Sequence, residues 1–201
     1  MRPIPAAALA LIASCLATPG LAGPDPLADG AKSYQHADYQ GALTAWRPLA
    51  VQGNPVAQNN LGIMYLDGKG VPQNMSEAVR YLSLSAAAGS SLGQNNLGGL
   101  YREGKGVPRD YTLAARWFTA AAGQGNAAGM YNLGLMYELG QGLKAEPFHA
   151  YMWYALAADQ NTIPNAAAHR DALWGRMTPA AQQQARALMA ACKSKNYKSC
   201  A

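Results

Sequence analysis

Apolar residues recur at helical spacing in two kinds of segment that alternate along most of the chain. In one kind, Ala78, Leu82 and Ala86 lie four residues apart, which places them on one face of a helix. In the other kind, Leu61 and Tyr65 have the same spacing. Glycine-rich turns separate the segments, and Ala, Gly and Leu outnumber Val, Ile and Phe, a composition that favours helices over strands. The pattern therefore predicts pairs of amphipathic helices.

The pairs repeat with a fixed period of 36 residues. The turn at residues 68–74 (GKGVPQN) returns at 104–110 (GKGVPRD) and, altered, at 140–146 (GQGLKAE). Because one helix pair cannot bury its apolar face alone, such a period predicts stacked pairs with one continuous core. The positions that recur in phase include Ala42, Ala78, Ala114 and Ala150; Asn60, Asn96 and Asn132; Leu61, Leu97 and Leu133; Gly62, Gly98 and Gly134; and Tyr65, Tyr101 and Tyr137.

Backbone chemistry explains the residues at the turns. Glycine tolerates the left-handed conformation that ends many helices, so we expect one helix of a pair to end near Gly89 and the other at Gly104, with equivalents in each unit. Pro108 then keeps the chain extended, and Asp110 is suited to N-cap the next helix. A large side chain at Gly98 or its equivalents should force the two helices apart.

These recurring positions resemble those of the Sel-one-like repeat family, which is related to the tetratricopeptide repeats. The resemblance covers about residues 38–178, and two units match nearly throughout. It implies an all-α, right-handed α-solenoid of about four helix–turn–helix repeats, closed by a C-terminal capping helix. The residues that carry it most clearly are Ala78, Tyr81, Leu82, Ala86 and Gly89, followed by NLG at 96–98, Tyr101 and GKGVPRD at 104–110.

The pattern changes at both ends of the repeats, as terminal units require. A short helix is expected over residues 26–36, and in the fourth unit His169 and Arg170 replace the Leu-Gly pair. Thr178 as N-cap and Pro179 in the first turn predict a final helix. The predicted organisation is a signal peptide at 1–22, an N-terminal cap at 23–37, repeats at 38–73, 74–109, 110–145 and 146–178, and a capping helix with a disulfide-closed tail at 179–201.

The first 22 residues have the pattern of a secretory signal peptide. Arg2 is their only charge, residues 6–16 are apolar, and small residues favour cleavage after about Ala22. The apolar run is short for a membrane span, and no span is expected. A periplasmic or secreted protein is predicted. The alternative is a lipoprotein, because residues 12–15 (IASC) resemble a bacterial lipobox that would leave Cys15 acylated.

Two cysteines remain once the leader is removed. Cys192 and Cys200 form an even pair in a chain expected to reach an oxidising compartment, so a disulfide that pins the tail to the last helix is predicted. A zinc pair or a redox pair is a poorer explanation, since seven residues intervene and no histidine lies nearby.

The charge of the chain is mildly basic and scattered. The formal net charge is +5, and no run of Lys and Arg is interleaved with aromatic residues, so nucleic acid is not an expected partner. The excess could favour anionic partners or could serve solubility alone.

Little in the sequence suggests an enzyme. His36, His149 and His169 lie in different units without partners at metal-ligand or triad spacing, and the GKG turn lacks the spacing of a phosphate loop. No catalytic residue, cofactor or metal is therefore expected. The resemblance does offer an alternative, because cysteine-rich secreted members of the family are associated with β-lactam binding. This chain lacks their disulfide in every repeat and has no S-x-x-K arrangement.

A binding surface is the remaining expectation. The asparagines at 59–60, 95–96 and 132 could form a binding row or could bond to backbone between units. Because the first helices of the units line the inner curve in related solenoids, we predict partner-binding residues there, with Arg80 and Arg116 placed to clamp carboxylates. The resemblance implies an exported scaffold that binds a protein or peptide on its concave surface in envelope assembly, signalling or stress regulation. The predicted partner-binding residues are Thr44, Arg47, Arg80, Arg116 and Thr119.

Overall fold

The computed structural model describes residues 25–198 and 200, and this part of the chain is helical with no strand. The predicted signal peptide and Cys15 lie outside the described residues. The all-α solenoid predicted from the period is confirmed. The ten helices of the described part are α1 (Pro26–Gln35), α2 (Tyr39–Val51), α3 (Pro55–Asp67), α4 (Met75–Ala87), α5 (Ser91–Glu103), α6 (Tyr111–Ala122), α7 (Ala127–Leu139), α8 (Pro147–Ala158), α9 (Ala166–Trp174) and α10 (Pro179–Ser194).

The helices form two layers of unequal spacing. Each of α1, α3, α5 and α7 packs most closely against the helix that follows it. Between neighbouring pairs, α3 contacts α5 and α5 contacts α7, whereas contacts between α2 and α4 or between α4 and α6 are weaker. In a curved stack the more closely spaced layer lies on the inside of the curve. We therefore call α1, α3, α5, α7 and α9 the inner layer and α2, α4, α6 and α8 the outer layer.

Small residues let the two layers approach each other. A Cβ added at Gly98 would lie 2.8 Å from Phe118 Cε1, and one at Gly62 would lie 2.7 Å from Leu82 Cγ. The same relationship joins Gly134 to Tyr154, at 2.8 Å. The outer-layer partners are fully buried, so they have little room to move aside. The prediction that larger side chains at these glycines would separate the helices is consistent with this geometry.

The turns between pairs use their glycines in two ways. Gly104 is a left-handed C-cap at φ 71°, and its backbone N–H bonds to Leu100 O. Gly106, at φ 72°, lies so close to the previous outer helix that a Cβ would be 3.0 Å from Met75 Cβ. Asp110 then caps α6 by accepting from Leu113 N at 2.9 Å. The predicted roles of this turn are confirmed.

The core of the described residues is divided into three clusters of buried apolar side chains that follow one another along the stack. In its C-terminal half it is centred on large buried residues of α6 to α8, including Phe118, Met130 and Trp153. In the first pairs it is built around Trp46 of α2 and Leu61 of α3. A third cluster between them includes Leu82 and Leu97, and the half-buried Tyr101 packs against both this cluster and the C-terminal one. Contacts of this kind join each unit to its neighbours.

The C-terminal helix closes the last unit. Thr178 accepts from Ala181 N, as expected of the predicted N-cap, and α10 packs against α8. The predicted disulfide between Cys192 and Cys200 is present. Beyond the helix, the ring of Tyr197 covers Gly125, with ring carbons 3.5 Å from the position of a Cβ there. The tail therefore reaches back to the turn between α6 and α7.

Candidate functional site

A directional chain of amide hydrogen bonds runs along the inner layer across three helices. Asn132 Nδ2 donates to Asn95 Oδ1 at 2.9 Å, and Asn95 Nδ2 donates to Asn96 Oδ1 at 3.3 Å. Asn96 Nδ2 in turn donates to Asn59 Oδ1 at 2.8 Å, and Asn59 Nδ2 to Asn60 Oδ1 at 3.4 Å. We call these five residues the asparagine row. It connects α7 to α5 and α5 to α3 by side chains alone.

Arg102 sets the direction of the row. Its Nη1 donates to Asn132 Oδ1 at 2.8 Å, and a guanidinium can only donate. The oxygen of Asn132 must therefore face Arg102, which leaves its nitrogen for Asn95, and the same constraint passes down the row. Arg102 also pairs with Glu103 at 3.1 Å. The Lys105 ammonium and the Arg102 guanidinium hold the pKa of Glu103 below its usual range.

The row retains donors that it does not use internally. Each amide nitrogen carries two hydrogens, and within the described residues Asn132, Asn95 and Asn96 each use one while Asn60 uses none. These four side chains are half-buried. Each carbonyl oxygen of the row accepts one bond and keeps a second lone pair, so the accessible face of the row offers N–H donors together with amide oxygens.

The sequence left two roles for these asparagines, a binding row or hydrogen bonds to backbone between units, and the structure bears on the second. In the part of the chain that the structure describes, their side chains bond to one another across units and make no bond to backbone. Sequence reasoning missed Arg102 altogether. The sequence does contain a signal for it, because Arg102 occupies the same repeat position as Leu66 and Glu138. A charged residue at a position that is apolar one repeat earlier indicates that this position is not needed for core packing in the later repeats.

A second polar cluster lies where α9 meets the repeats. Glu138 Oε2 accepts from Tyr154 Oη at 2.6 Å and lies 3.3 Å from His169 Nδ1. Tyr131 packs against the rings of both Tyr154 and His169. Burial, and then the hydrogen bond to Glu138, raises the pKa of the Tyr154 phenol. The cluster fixes α9 to α7 and α8, which explains why His169 replaces a leucine of the repeat.

The residues predicted to bind a partner lie on outer-layer helices. Arg80 pairs with Glu77 at 2.7 Å and covers the Tyr81 ring at 4.0 Å; hydrogen bonds from Arg80 lower the pKa of Glu77. Arg116 has no ion pair within the described residues, and with Thr119 it lines a shallow pocket of about 280 Å³.

The remaining two predicted residues lie on α2. Arg47 is exposed, and Thr44 is exposed with its hydroxyl donating to Gln40 O at 2.9 Å. The structure thus brings Arg116 and Thr119 together. The partner-binding role of all five residues stays a prediction.

The histidines lie in separate places, as the sequence suggested. Nδ1 of His36 bonds to Lys32 O at the end of α1, and His149 Nδ1 lies 2.6 Å from Glu146 Oε2 in the first turn of α8. Within the described residues, no group of three or more His, Cys, Asp or Glu side chains could hold a metal ion. In the same part of the chain, no helix combines the length and apolar character that a membrane span needs.

The solved structures that resemble this chain include the following two. A Sel1 repeat protein from Oxalobacter formigenes has a TM-score of 0.63 and 30% sequence identity, over 73% of this chain and 62% of that one. The protective antigen c5321 of uropathogenic Escherichia coli, described as displaying an SLR fold, has a TM-score of 0.56 and 25% identity, over 86% of this chain and 45% of that one. This chain thus spans less than two thirds of either protein. No curated protein matches it.

The family model of the Sel1 repeat matches three consecutive segments, residues 55–90, 91–126 and 127–162, which make up more than half of the chain. Each matched segment begins at the first residue of an inner helix and joins that helix to the outer helix that follows. The repeats predicted from the sequence have the same period and begin one helix earlier. The chain belongs to the Sel1 repeat family.

Proposed function

We propose that this protein is an exported scaffold that binds an extended segment of a partner protein along the inner layer formed by α3, α5 and α7. The observation that carries the proposal is the asparagine row with its unused N–H donors. Sel1 repeats generally serve protein–protein interaction, and the inner layer is where this chain concentrates polar groups that its own core does not need.

The chemistry of the row suits a peptide backbone. An extended segment presents carbonyl oxygens at regular intervals, and its hydrogen-bonding capacity must be satisfied when it leaves water. Asn132, Asn95 and Asn96 can each donate one further bond, while Arg102 at one end offers additional donors. Because the row is held in one direction by Arg102, these donors are arranged before the partner binds, which lowers the ordering cost of association.

The proposed place of action is the bacterial envelope or the exterior. The disulfide between Cys192 and Cys200 supports an oxidising compartment, and the signal peptide predicted at residues 1–22 would deliver the chain there. We propose that the scaffold acts in envelope assembly, signalling or stress regulation. The mass of the mature protein distinguishes cleavage after about Ala22 from acylation at Cys15.

Site-specific crosslinking tests whether the partner binds along the inner layer. Gly99 lies on α5 beside the row, and a Cβ there would meet nothing within 4 Å, so a photo-crosslinking amino acid can replace it. The matched control is Ala87, which is exposed at the end of outer helix α4. In envelope extracts we expect a discrete partner band from position 99 and none from position 87. A band only from position 87 would place the binding surface elsewhere.

Two further measurements separate this proposal from its alternatives. A double charge reversal at Arg80 and Arg116 tests the outer-layer clamp: an unchanged yield of the position-99 crosslink excludes the arginines from binding. Incubation with a fluorescent β-lactam tests the hydrolase, since covalent labelling of the purified chain would contradict a scaffold without catalytic function.

A further inference from the structure

The inner layer has an apolar pocket at its N-terminal end, where α1, α2 and α3 meet. Its volume is about 260 Å³, below the roughly 300–1,000 Å³ of typical small-molecule sites. A pocket of this size suits one side chain rather than a whole ligand. Its lining residues are Ala31, Tyr34, Gln35, Trp46, Asn60 and Ile63.

The pocket exists because α1 replaces a full inner helix. Gly30 of α1 lies against Trp46 of α2, with the position of a Cβ overlapping the indole, which is the relationship that Gly62 has with Leu82 one pair later. Leu27 lies three residues before Gly30, and Asn59 lies three residues before Gly62. Leu27 therefore occupies in α1 the position that Asn59 occupies in α3. Asn59 accepts a hydrogen bond from Asn96 of α5, the next inner helix. A leucine side chain cannot accept one, so the asparagine row ends at this point.

Asn60 is therefore the one member of the row with an entirely unused amide nitrogen within the described residues. It is half-buried and lines the pocket. An amide nitrogen that bonds to no acceptor of the protein can donate to a ligand that brings one. The pocket thus combines apolar walls with a donor at its rim, which matches an apolar residue and its own backbone carbonyl.

The walls of the pocket are held in place without a ligand. Trp46 is 3% exposed, and its Nε1 donates to Leu27 O at 3.1 Å. The Tyr34 ring packs against Trp46 with centroids 5.8 Å apart, and the Tyr34 hydroxyl accepts from Lys69 Nζ at 3.0 Å. Because the aromatic walls are already fixed, filling the pocket costs little rearrangement.

We propose that this pocket binds one large apolar side chain of the partner segment, with Asn60 donating to a neighbouring backbone carbonyl of that segment. The inference rests on the proposed function, because the segment must lie along the inner layer to reach both the pocket and the row. The anchor sets the register of the segment on the repeats. Specificity then comes from a site that the repeat pattern itself does not contain.

A selected peptide provides the probe. Random 12-residue peptides displayed on phage are selected on the full chain, and the affinity of the enriched peptide is measured by fluorescence anisotropy. We expect the enriched sequences to share a large apolar residue at one position. Ala31→Trp, which fills the pocket, should weaken binding at least tenfold, whereas Ala87→Trp on the outer layer should leave it unchanged.

A second variant, Asn60→Ala, keeps the test decisive if Ala31→Trp folds poorly, and a double-mutant cycle with the peptide sharpens it if Ala31→Trp folds. Asn60→Ala removes the rim donor without adding volume and should weaken binding about three- to tenfold. Replacing the shared apolar residue of the peptide by alanine should weaken binding to the wild type at least tenfold and cause no further loss in Ala31→Trp.

The outcomes separate the two proposals. Enriched peptides that bind Ala31→Trp and Asn60→Ala as tightly as the wild type would overturn the anchor pocket while the peptide scaffold stands. Enriched peptides that share no apolar residue would overturn it as well. Failure to enrich any peptide that binds the folded chain would count against the scaffold itself, and the anchor pocket would fall with it.

Discussion

Arg102 Nη1 donates a 2.8 Å hydrogen bond to Asn132 Oδ1, and this one bond orients five amides on three helices. An asparagine can exchange its oxygen and nitrogen by a half-turn at little cost when both arrangements are equally bonded. The guanidinium removes that equivalence for Asn132. Each following member of the row then has one arrangement in which all its bonds are formed.

Replacing Arg102 by methionine should lower the free energy of unfolding by about 1.5–3 kcal/mol, the range for a hydrogen bond to a charged group. Chemical denaturation measures the effect. Arg116→Met is the matched control, because Arg116 is exposed on α6 and should change stability by less than about 0.5 kcal/mol. Equal losses in the two variants would mean that Arg102 does not hold the row.

Adjacent glycines on α5 predict effects of opposite sign. Gly98→Ala places a methyl group 2.8 Å from a carbon of the buried Phe118 ring and should cost about 1–3 kcal/mol of stability. Gly99→Ala meets nothing within 4 Å and should stabilise by up to about 1 kcal/mol, since alanine is the better helix former. Thermal unfolding of the two variants gives the comparison. A loss at both positions would contradict the close packing of α5 on α6 as the cause.

A hydrogen bond that joins two later repeats has no counterpart one repeat earlier, and this difference predicts a stabilising substitution. Gln94 Oε1 accepts from Gln124 Nε2 at 2.7 Å, and one period earlier Gln58 Oε1 is buried with no partner within the described residues. The residue in phase with Gln124 is Ala88. Ala88→Gln should therefore supply the donor and raise the free energy of unfolding by about 0.5–1.5 kcal/mol.

The control for Ala88→Gln is the same substitution in a Gln58→Leu background. With the acceptor removed, the added glutamine has nothing buried to satisfy, and the gain should disappear. Denaturant midpoints of the four chains complete the cycle. A gain of the same size in both backgrounds would point to a surface effect of the new side chain.

Stability at alkaline pH should depend on Tyr154. Burial raises the pKa of this phenol above the value of about 10 that it has in the unfolded chain. A group with a raised folded-state pKa contributes its full stabilisation below the unfolded pKa and loses it as pH rises further. We therefore expect the free energy of unfolding to fall above about pH 10, by at most about 1.4 kcal/mol per pH unit from this residue.

Tyr154→Phe separates this contribution from general alkaline unfolding. The variant lacks the hydrogen bond to Glu138, so it starts less stable, but its decline above pH 10 should be shallower. Denaturant titrations between pH 8 and 11 measure both slopes. Parallel slopes would show that the buried phenol does not control the alkaline limit.

The C-terminal disulfide should stabilise the chain by about 2–3 kcal/mol, as expected for a short closed loop. Cys200→Ser leaves the buried Cys192 in place and frees the tail that carries Tyr197. We expect a lower melting temperature and faster tryptic cleavage at Lys195 and Lys198, which are both exposed within the loop that the disulfide closes. Cleavage at the wild-type rate would mean that α10 holds the tail without the bridge.

The period, the glycine-ended helices and the N-caps could be predicted because they depend on local backbone chemistry. Asn74 and Asp110 cap their helices in the same way wherever the turn occurs. The disulfide was also within reach of the sequence, since Cys192 and Cys200 are the two cysteines left after the predicted leader.

The asparagine row could not be predicted in this form, because it needs the distance between successive inner helices. Asn59 and Asn96 are 37 residues apart, one more than the period, so the bonded residues are not the ones that align. The role of α1 was hidden for a related reason: Gly30 precedes Trp46 by 16 residues, whereas Gly62 precedes Leu82 by 20. A shorter turn takes α1 out of phase while its packing stays that of an inner helix.

The packing of α10 on α8 bears on which faces of the stack stay open to further packing. Identical units that stack through matching faces have no built-in limit, and exposed end faces would let separate molecules join into open filaments. Here the last regular outer helix is covered by α10, and Lys193 pairs with Asp159 across that contact. Helix α10 therefore acts as a terminator of the stack: the face of α8 on which a further helix pair could pack is already occupied.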